Sequence, residues 1–553
     1  MARVWFRFYK PKPDDSPAPK RRETVANWVD PSERDPSLIG ERLFEFLNVK
    51  GSLRDIGWDG PQREKLWRYN QHYFDDLNAE GAAERRRWHE TLLVDWMEAN
   101  PPSKGTGWEP YPTSLRIVNW VKWSLAGNSL TEDCLHSLAI QARWLRRRLE
   151  RHLLGNHLFA NGKALVFAGL FFQEPEASSW LRCGVRVLAR ELREQILADG
   201  GHFERSPMYH ALALEDLLDL INLIRTYEDV DDVDTLLTIL ETSVGPMLEW
   251  LSTMCHPDGE LSFFNDTAIG IAPSPNSLFA YARRLGFEMP IPVESHLASG
   301  NKIGSSVATS LQPSGYVRID AQDALALIDV APIGPDYLPG HAHADTLSFE
   351  FSAFGQRVFV NSGTSVYGVG AERLRQRGTA AHNTVTVNEA NSSEVWSGFR
   401  VARRAKPIDL HIEDSAQHLR VSCGHSGYQQ TQQPPVTHVR EWVMSATELK
   451  ISDELRPVAD GSLHSAVARY YLHPAVRIIS DNSSSSVKLR LPGGQDVQFV
   501  AFAPICVESA TWHPRFGISE PTSCIVVPLV SGAVSAAIRW GNQASHAHTF
   551  FNR

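Results

Sequence analysis

The stretch YHALALEDLLDLINLIRTY, residues 209–227, decides the fold of the first half of the chain. Its apolar residues recur three and four positions apart with charges between them, which is the spacing of a helix with one buried face. The apolar positions are Leu212, Leu214, Leu217, Leu218, Leu220, Ile221 and Ile224. So broad an apolar face predicts a helix that packs against other helices.

The same spacing extends in both directions, from about Pro36 to about Leu297. Residues 134–154 and 179–197 repeat it, and short breakers such as GNH at 155 separate the segments. Helix after helix with short connections predicts a bundle or an (α/α) toroid.

The pattern changes after a stretch rich in Ser, Gly and Pro, residues 295–315. Residues 316–330, 346–360 and 436–449 are short segments rich in Val, Phe, Leu and Ile, which is typical of strands. Similar segments separated by turns continue to the end, and this predicts a large antiparallel β-sandwich.

Three domains follow from these periodicities. We predict an N-terminal extension over residues 1–35, a helical domain over 36–305 and a sandwich domain over 306–553. A chain of 553 residues is long enough for two large cores.

Composition and charge exclude several function classes. The net charge is -9, and this argues against nucleic acid as a partner because proteins that bind it usually carry a basic surplus. An acidic glycan stays compatible, since a binding cleft needs only local Arg, Lys and His. The six Cys are scattered singly, so neither a zinc finger nor a disulfide scaffold is indicated.

The N-terminus, MARVWFRFYKPKPDD, has no apolar run of the kind found in a signal peptide. No stretch approaches the length of a membrane span either. We therefore expect a cytoplasmic chain by default, with the periplasm as the alternative. The oligomeric state stays open at this level.

Histidines enter predicted strands at two places in the second half. In PGHAHADTLSFEF, residues 339–351, alternation along a strand would place His341, His343 and Asp345 on one face if the strand already begins there. A second histidine, His382, opens another strand. Two such segments favour a functional site, with a solvated edge strand as the alternative.

Polar residues also gather at two breaks between apolar helices. The first break places Asn156 and His157 at the start of a strongly apolar helix, where Asn156 could also act only as the N-cap. The second break, DGGHFERSPMYH, ends in Tyr209, which on its own would be taken for an ordinary half-buried tyrosine.

Taken together, these segments resemble the heparinase II/III family of polysaccharide lyases, and also certain alginate lyases. The matching pieces stand in the family's order over most of the chain: WRYNQHYFDDL (67–77), GWEPYPTSLRIVNW (107–120), GNHLFANGKALVFAGLFF (155–172), DGGHFERSPMYHALALEDLLDL (199–220), HPDGELSFFND (256–266), GHAHADTLSFEFSAFGQRVFVNSGT (340–364) and GTAAHNTVTVN (378–388). The combination is specific, although no single piece is. It implies an incomplete (α/α) toroid followed by an antiparallel β-sandwich, with the active site in the cleft between them.

The resemblance implies cleavage of an acidic, uronate-containing glycan by β-elimination, which leaves a C4–C5 unsaturated sugar. The reaction removes the proton at C5 and expels the oxygen on C4. The site must therefore neutralise the uronate carboxylate and supply a base and an acid.

Catalytic roles follow from the same resemblance. Asn156 and His157 are the candidates for holding the carboxylate. Tyr209 resembles the catalytic acid, which for some epimers is also the base, and His341 resembles the second catalytic group. A base role for Tyr209 would need cationic neighbours, because a free tyrosine has a pKa of about 10. Arg205 and His202 are candidates for that field and for binding the substrate.

The family often holds a divalent metal, commonly zinc, in the sandwich. Its ligands correspond to His343 and His382, with Asn361 at the position where the family usually shows Asp. Asn is a weaker, neutral ligand, so either the site is weakened or Asp345 compensates. We expect one structural zinc and no organic cofactor.

Further substrate contacts are expected in both halves. Arg373 and Arg377 are candidates for binding a carboxylate or sulfate, because Arg recognises such anions bidentately. The alternative for them is a solvated loop. The other candidates, which resemble the family's cleft lining or could stack on sugars, are Tyr69, Asn70, His72, Trp108 and Tyr111.

Three other functions stay open. A glycoside hydrolase would need two carboxylates flanking the bond, for which Glu109, Asp258, Glu260 and Asp266 are available. A non-catalytic glycan-binding or assembly protein would fit the departure at Asn361. A metal-dependent hydrolase would need an open zinc beside a carboxylate base. The particular glycan, endo or exo action, and syn or anti elimination are not determined by the sequence.

Overall fold

A computed structural model of the chain divides into two compact units. The structure describes residues 12–290, 306–458, 464–479 and 484–541, apart from 228, 229, 231, 416 and 417. One unit comprises Met1–Ser252, Ala268–Pro290 and Arg515–Ile518. The other comprises Thr253–Thr267, Ile291–Pro514 and Ser519–Arg553. The predicted boundary at 305 ends a segment, 291–305, that lies outside the described residues.

The first unit is helical, as predicted. Its α-helices are α1 (Leu53–Ile56), α2 (Lys65–Gln71), α3 (Arg86–Ala99), α4 (Pro110–Leu125), α5 (Glu132–Arg147), α6 (Gly155–Phe171), α7 (Glu176–Gln195), α8 (Pro207–Thr226), α9 (Asp234–Thr253) and α10 (Pro275–Arg284). Short 3-10 helices lie at Asp75–Asn78, Ala82–Arg85 and Thr106–Trp108. In the described part of the chain, no helix is long and apolar enough to cross a membrane.

A small antiparallel sheet, β1 (Leu38–Gly40), β2 (Leu43–Phe46) and β3 (Val49–Ser52), precedes the helices where the sequence predicts helix. Two residues with positive φ, Leu47 and Asn48, connect β2 to β3, which is the backbone of a tight hairpin turn. The prediction is wrong here because the turn is made by non-glycine residues, which give little sequence signal.

Helix α6 forms the centre of the helical core. Nearly all of its side chains are buried, and it packs very closely against α7. A Cβ atom on Gly169 would lie 2.6 Å from the backbone nitrogen of Leu181, so only glycine allows this approach. Buried charges join α6 to its neighbours, since Lys122 and Lys163 both donate to Asp219, at 2.9 and 2.7 Å.

The described part of the N-terminal extension, from residue 12, runs along this helical core. Arg143 donates to the carbonyl oxygens of Ser16 and Pro17, and Arg22 donates to that of Leu170. The extension is therefore part of the helical unit.

The second unit is built from strands, as predicted. They are β4 (Val307–Leu311), β5 (Tyr316–Ala321), β6 (Ala324–Asp329), β7 (Phe349–Ala353), β8 (Gln356–Phe359), β9 (Val385–Val387), β10 (Val395–Trp396), β11 (Arg400–Val401), β12 (Pro407–Asp414), β13 (Leu419–His425), β14 (Val436–Met444), β15 (Glu448–Pro457), β16 (Ala466–Tyr471), β17 (Arg477–Ile479), β18 (Ser486–Arg490), β19 (Asp496–Ala501), β20 (Cys506–Trp512), β21 (Glu520–Pro528) and β22 (Ala533–Trp540). Two short helices, α11 (Ala371–Arg377) and α12 (Gly427–Thr431), interrupt them.

Antiparallel pairing joins these strands into sheets. Among the described residues, the largest sheet has the order β12-β13-β14-β15-β22-β19-β18-β17. Smaller sheets have the orders β4-β5-β6-β7-β8 and β20-β21-β16-β9, and β10 pairs with β11. One continuous apolar core contains side chains from all three larger sheets, which is the arrangement of a sandwich.

Residues 253–267 belong to the sandwich unit, whereas the predicted helical domain includes them. Hydrogen bonds explain the difference. His256 is buried and bonds to Glu350 and Ser352 of β7, at 2.9 and 2.7 Å. The segment is thereby fixed to the sheet that carries the predicted histidine site.

Asp453 in β15 provides a test of how buried charges stabilise the sandwich. It is buried with Arg440 and His438, both of which bond to its Oδ1 at 2.7 Å. We expect Asp453→Asn to lower the free energy of unfolding by about 3–5 kcal/mol, because Arg440 would lose its buried counter-ion. Urea denaturation measures this change.

The destabilisation caused by Asp453→Asn should depend on pH. Although burial raises it, the pKa of Asp453 is held at about 2 by Arg440 and His438, below the value of about 3.9 expected in the unfolded chain. The stabilisation is therefore complete above about pH 4 and is lost as the pH falls towards 2. The control, Asp496→Asn, removes a partly exposed carboxylate that pairs with Lys488 and Arg490, and should leave the transition unchanged. Equal effects of the two variants would contradict the interpretation.

Candidate active site and metal-ligand cluster

Asp266 is the hub of the predicted histidine site in the sandwich unit. Its Oδ2 lies 2.9 Å from Nδ1 of His341, and its Oδ1 lies 2.8 Å from Nε2 of His343. Arg373 donates from both terminal nitrogens to the same carboxylate. One buried carboxylate thus orients two histidines and pairs with one arginine.

Electrostatics keep this carboxylate ionised. Burial by itself raises the pKa of Asp266, but the charge of Arg373 and the hydrogen bonds from both histidines hold it well below its usual range. Burial lowers the pKa of His343 to about 4 in spite of Asp266, so this imidazole is neutral at neutral pH.

A candidate metal-ligand cluster lies directly behind this hub. One ligand atom from each of His343, Asp345 and His382 lies within 4.8 Å of the others, and all three side chains are buried. Both ring nitrogens of His382 and Nδ1 of His343 lack a hydrogen-bond partner among the described residues. Buried polar atoms rarely stay unpaired. A bound cation would give these ring nitrogens a partner, and the side chains in the cluster are of the types that bind metals.

The protonation states in the cluster also fit a cation. Burial holds the pKa of His382 well below its ordinary value, which leaves a neutral imidazole of the kind that binds metals. Burial raises the pKa of Asp345 to about 6, and the charge of Asp266 adds to this rise, although backbone N–H groups and the charge of Arg377 oppose it. A nearby positive charge would favour its ionised form.

Asn361, the third ligand predicted from the resemblance, is engaged in the protein's own hydrogen bonds. Its Oδ1 accepts from the backbone N–H of Asn383 at 3.2 Å, and its Nδ2 lies 3.4 Å from Oγ of Ser348. Its backbone N–H donates to Glu350 at 2.7 Å. The amide therefore connects the loops that carry the two ligand histidines.

In the helical unit, Tyr209 lies in the first turn of α8. The helix begins after Ser206, whose Oγ accepts from the backbone N–H of Tyr209, and Pro207 occupies the first turn, where a proline is well tolerated. Tyr209 itself is largely buried. Arg205 precedes the cap with φ of 59°, an uncommon conformation for a non-glycine residue. His202 is buried near Gln195, at 3.3 Å, rather than exposed to a ligand.

Asn156 and His157 lie in the first turn of α6 and are half-buried. The N-cap of this helix is Leu154, so the alternative that Asn156 serves only as the cap is excluded. The ring of His157 lies 4.4 Å from that of Tyr111, and its Nδ1 lies 3.2 Å from a carboxylate oxygen of Glu150. The predicted residues Tyr111 and His157 are thus neighbours.

The remaining candidates of the helical unit divide into two groups. Tyr69 is half-buried and donates to Glu109, and Asn70 is half-buried and donates to the carbonyl oxygen of Leu66. His72 and Trp108 are buried instead, so the prediction that they contact substrate is wrong.

The physical reason is that both polar rings find partners inside the core. Nδ1 of His72 accepts from Nε1 of Trp96 at 3.0 Å, and Nε1 of Trp108 donates to the carbonyl oxygen of Asn100 at 3.0 Å. A hydrogen bond in the core offsets much of the cost of burying a polar atom, and the sequence does not reveal which polar atoms find such a partner.

Arg373 and Arg377 also differ from their prediction. Both are buried, neither lies in a solvated loop, and neither presents its guanidinium group to a ligand. Arg373 pairs with Asp266, and Arg377 donates to the carbonyl oxygens of Ala342 and Gly398, at 2.8 and 3.0 Å. Their role is to hold the segments around His341.

Three of the four carboxylates that a hydrolase could use are engaged in contacts within the protein. Asp258 pairs with Arg357 at 2.6 Å, Glu109 accepts from Tyr69 and Lys65, and Asp266 is buried under three partners. The orienting role of Asp266 was not predicted from the sequence. Its signal was the motif HPDGELSFFND, in which it is the final residue.

Two family profiles match the chain. The description "Heparinase II/III N-terminus" matches residues 62–279, and "Heparinase II/III-like, C-terminal" matches residues 305–541.

The sequences of several known proteins match part or nearly all of the chain. A heparin-sulfate lyase of Bacteroides stercoris is 27% identical over 44% of this chain and 37% of that protein. A heparin-sulfate lyase of Pedobacter heparinus is 26% identical over 54% of this chain and 47% of that protein. The matched regions thus span less than half of these two lyases. FtsZ-localized protein C of Caulobacter vibrioides is 24% identical over 94% of this chain and 90% of that protein.

Solved structures show the same fold at low identity. Heparinase III superposes with a TM-score of 0.65 at 18% identity, over 86% of this chain and 76% of its own. A mutant of heparan sulfate lyase HepC from Pedobacter heparinus gives 0.63 at 19%, over 91% and 82%. The predicted fold class, an incomplete (α/α) toroid followed by an antiparallel β-sandwich, is confirmed. Since the two profiles together match most of both units, the chain belongs to the heparinase II/III-like family.

Proposed function

We propose that this protein is a polysaccharide lyase that cleaves a uronate-containing acidic glycan by β-elimination. The observation that carries the proposal is the fixed orientation of His341 by Asp266. The carboxylate accepts from Nδ1, so the neutral imidazole has its lone pair on Nε2, the nitrogen that can take a proton from substrate. The family membership supports the same reaction.

Each proposed residue has one task in the reaction. Nε2 of His341 removes the proton at C5, and the electron pair of that bond forms the C4–C5 double bond. The bond from C4 to the glycosidic oxygen breaks, and the phenol of Tyr209 protonates the leaving oxygen. A tyrosine with a pKa of about 10 keeps its proton at neutral pH and can act in this way.

Asn156 and His157 are proposed to hold the uronate carboxylate. Both lie in the first turn of α6, where backbone N–H groups and the helix dipole favour an anion. Neutralising the carboxylate lowers the barrier because the transition state places further negative charge next to it. Tyr111 supports His157 by ring contact.

We further propose that His343, Asp345 and His382 hold a structural zinc ion. Two imidazoles and one carboxylate form a donor set that zinc prefers, whereas the amide of Asn361 is engaged with Asn383 and Ser348. When bound, the ion would supply a positive charge that holds these ligands together. The chain's own contribution is the Asp266 bond to Nε2 of His343, which leaves Nδ1 for the ion.

A non-catalytic glycan-binding or assembly role is the second candidate. Two observations favour it: the family's usual Asp is replaced by Asn361, and the relative matched over 90% of its length, FtsZ-localized protein C, is named for its location. Binding of glycans without any unsaturated product would support this role.

The substitution Tyr209→Phe tests the proposed lyase activity. We expect the protein to raise the ultraviolet absorbance of at least one polymer in a panel of uronate glycans, as the conjugated unsaturated uronate forms. Tyr209→Phe should lower the rate by about 10²- to 10⁴-fold, because it removes the acid. The matched control is Tyr227→Phe, at the other end of α8, which should keep full activity. New reducing ends without absorbance would indicate a hydrolase and would falsify the elimination.

The metal ligands are tested by zinc content. We expect protein purified with zinc and then dialysed to retain about one zinc per chain. Asp345→Ala and His382→Ala should lose it, whereas Asn361→Ala should retain it. Elemental analysis provides the measurement, and His411→Ala, which changes an exposed histidine of β12, is the control. Zinc retained by Asp345→Ala but lost by Asn361→Ala would show that Asn361, and not Asp345, is the third ligand. The absence of zinc from every sample would contradict the proposed zinc site.

A further inference from the structure

A short hairpin near His341, formed by β10 and β11, exposes an aromatic ring and a cation on the same face. Val395 pairs with Val401, and Trp396 pairs with Arg400. The two valines pack with Ile333 and Ala342 in a small apolar cluster. Because side chains alternate along a strand, Trp396 and Arg400 lie on the opposite face, where 52% of Trp396 is exposed.

Phe399, in the turn of the hairpin, is a second exposed aromatic residue, and it lies next to His341. Its ring centroid lies 5.8 Å from that of His341 and 5.3 Å from that of Tyr367, and 41% of its surface is exposed. A single exposed aromatic residue needs no explanation, but two exposed aromatic residues in one short hairpin, one of which contacts a candidate catalytic histidine, indicate a binding surface.

The two buried arginines hold the hairpin in place. Nε of Arg373 and Nη1 of Arg377 both donate to the carbonyl oxygen of Gly398, at 3.1 and 3.0 Å. The guanidinium group of Arg373 also lies over the rings of Tyr367 and Phe399, at 4.9 and 5.4 Å from their centroids. The turn is thus anchored to the ion pair that orients His341, so its aromatic surface is fixed before any ligand binds.

A close backbone contact fixes the turn from the other side. A Cβ atom on Gly398 would lie 2.2 Å from the carbonyl oxygen of Gly368. The segment that contains Gly368 and Tyr367 therefore packs directly on the hairpin turn. Only glycine at position 398 allows this contact.

Arg400 is exposed and makes no ion pair or hydrogen bond with any residue in the described part of the chain. It differs in this from Arg373 and Arg377, in which each of the three guanidinium nitrogens donates to a partner inside the protein. A guanidinium group next to aromatic rings matches an acidic sugar, since the apolar face of a pyranose packs on an aromatic ring and a carboxylate or sulfate accepts from the guanidinium.

We propose that the β10–β11 hairpin is a subsite for one acidic sugar of the substrate, next to the sugar on which His341 acts. Trp396 and Phe399 contact the faces of the sugar, and Arg400 binds its carboxylate or sulfate. This inference rests on the proposed function, because the occupant is the acidic glycan itself. It also gives Arg373 and Arg377 a positioning role in substrate binding without direct contact.

Steady-state kinetics on the polymer that the protein cleaves tests the subsite. We expect Trp396→Ala, Phe399→Ala and Arg400→Gln each to raise KM by about 3- to 10-fold while kcat changes less than about twofold. Arg400→Gln should also weaken the dependence of KM on salt, because it removes a charge contact. Loss of kcat with unchanged KM would overturn the proposal.

Matched controls separate this effect from a general loss of surface aromatics or charge. Phe502→Ala removes a ring that is 74% exposed elsewhere in the sandwich unit, and Arg456→Gln removes an exposed arginine of β15. Both should leave KM unchanged. Equal increases in KM for the hairpin variants and the controls would also overturn the proposal.

Direct binding distinguishes failure of the subsite from failure of the lyase. Oligosaccharides of the same glycan panel are titrated into Tyr209→Phe and into the double variants Tyr209→Phe/Trp396→Ala and Tyr209→Phe/Phe502→Ala. If glycans bind but are never cleaved, and Trp396→Ala weakens binding, the subsite is supported although the lyase is not. If no acidic glycan binds the Tyr209→Phe protein, the subsite is refuted together with the proposed function. Cleavage with unchanged affinity in Trp396→Ala refutes the subsite alone.

Discussion

A buried carboxylate needs a buried counter-charge, and the arrangement of the site in the sandwich follows from the pair formed by Asp266 and Arg373. Removing an ionised carboxylate from water costs several kcal/mol unless a charge and hydrogen bonds compensate for it. Here the arginine supplies the charge, and His341 and His343 supply further bonds. One ion pair thereby fixes a proposed base, a proposed metal ligand and, through Gly398, the aromatic hairpin.

Two further buried ionisable side chains hold the loops around this pair. Glu350 accepts from the backbone N–H groups of Asn361 and Phe263, and burial raises its pKa to about 7. Arg440 donates to the carbonyl oxygens of Leu347 and Asn383, next to the segments that carry Asp345 and His382. The sandwich core therefore uses hydrogen bonds from buried ionisable side chains to place its polar loops.

The sequence predicted the fold well because apolar periodicity is a local signal. A helix such as α8 or a strand such as β14 buries one face, and that face is visible in the spacing of its own residues. The predictions were wrong where polar residues decide the structure. His72 and Trp108 look like ligand-binding residues in the sequence, yet Nδ1 of His72 accepts from Trp96 and Nε1 of Trp108 donates to Asn100 in the core.

By itself, the sequence determined that a helical half precedes a strand-rich half, the family and the motifs that contain Tyr209 and His341. Only the tertiary structure decided which polar groups of those motifs meet. Asp266 and His341 are 75 residues apart, and Asp266 and Arg373 are 107 residues apart, so no local pattern connects them. Their contact exists because residues 253–267 pack on the sandwich, where burial makes each charge depend on a distant partner.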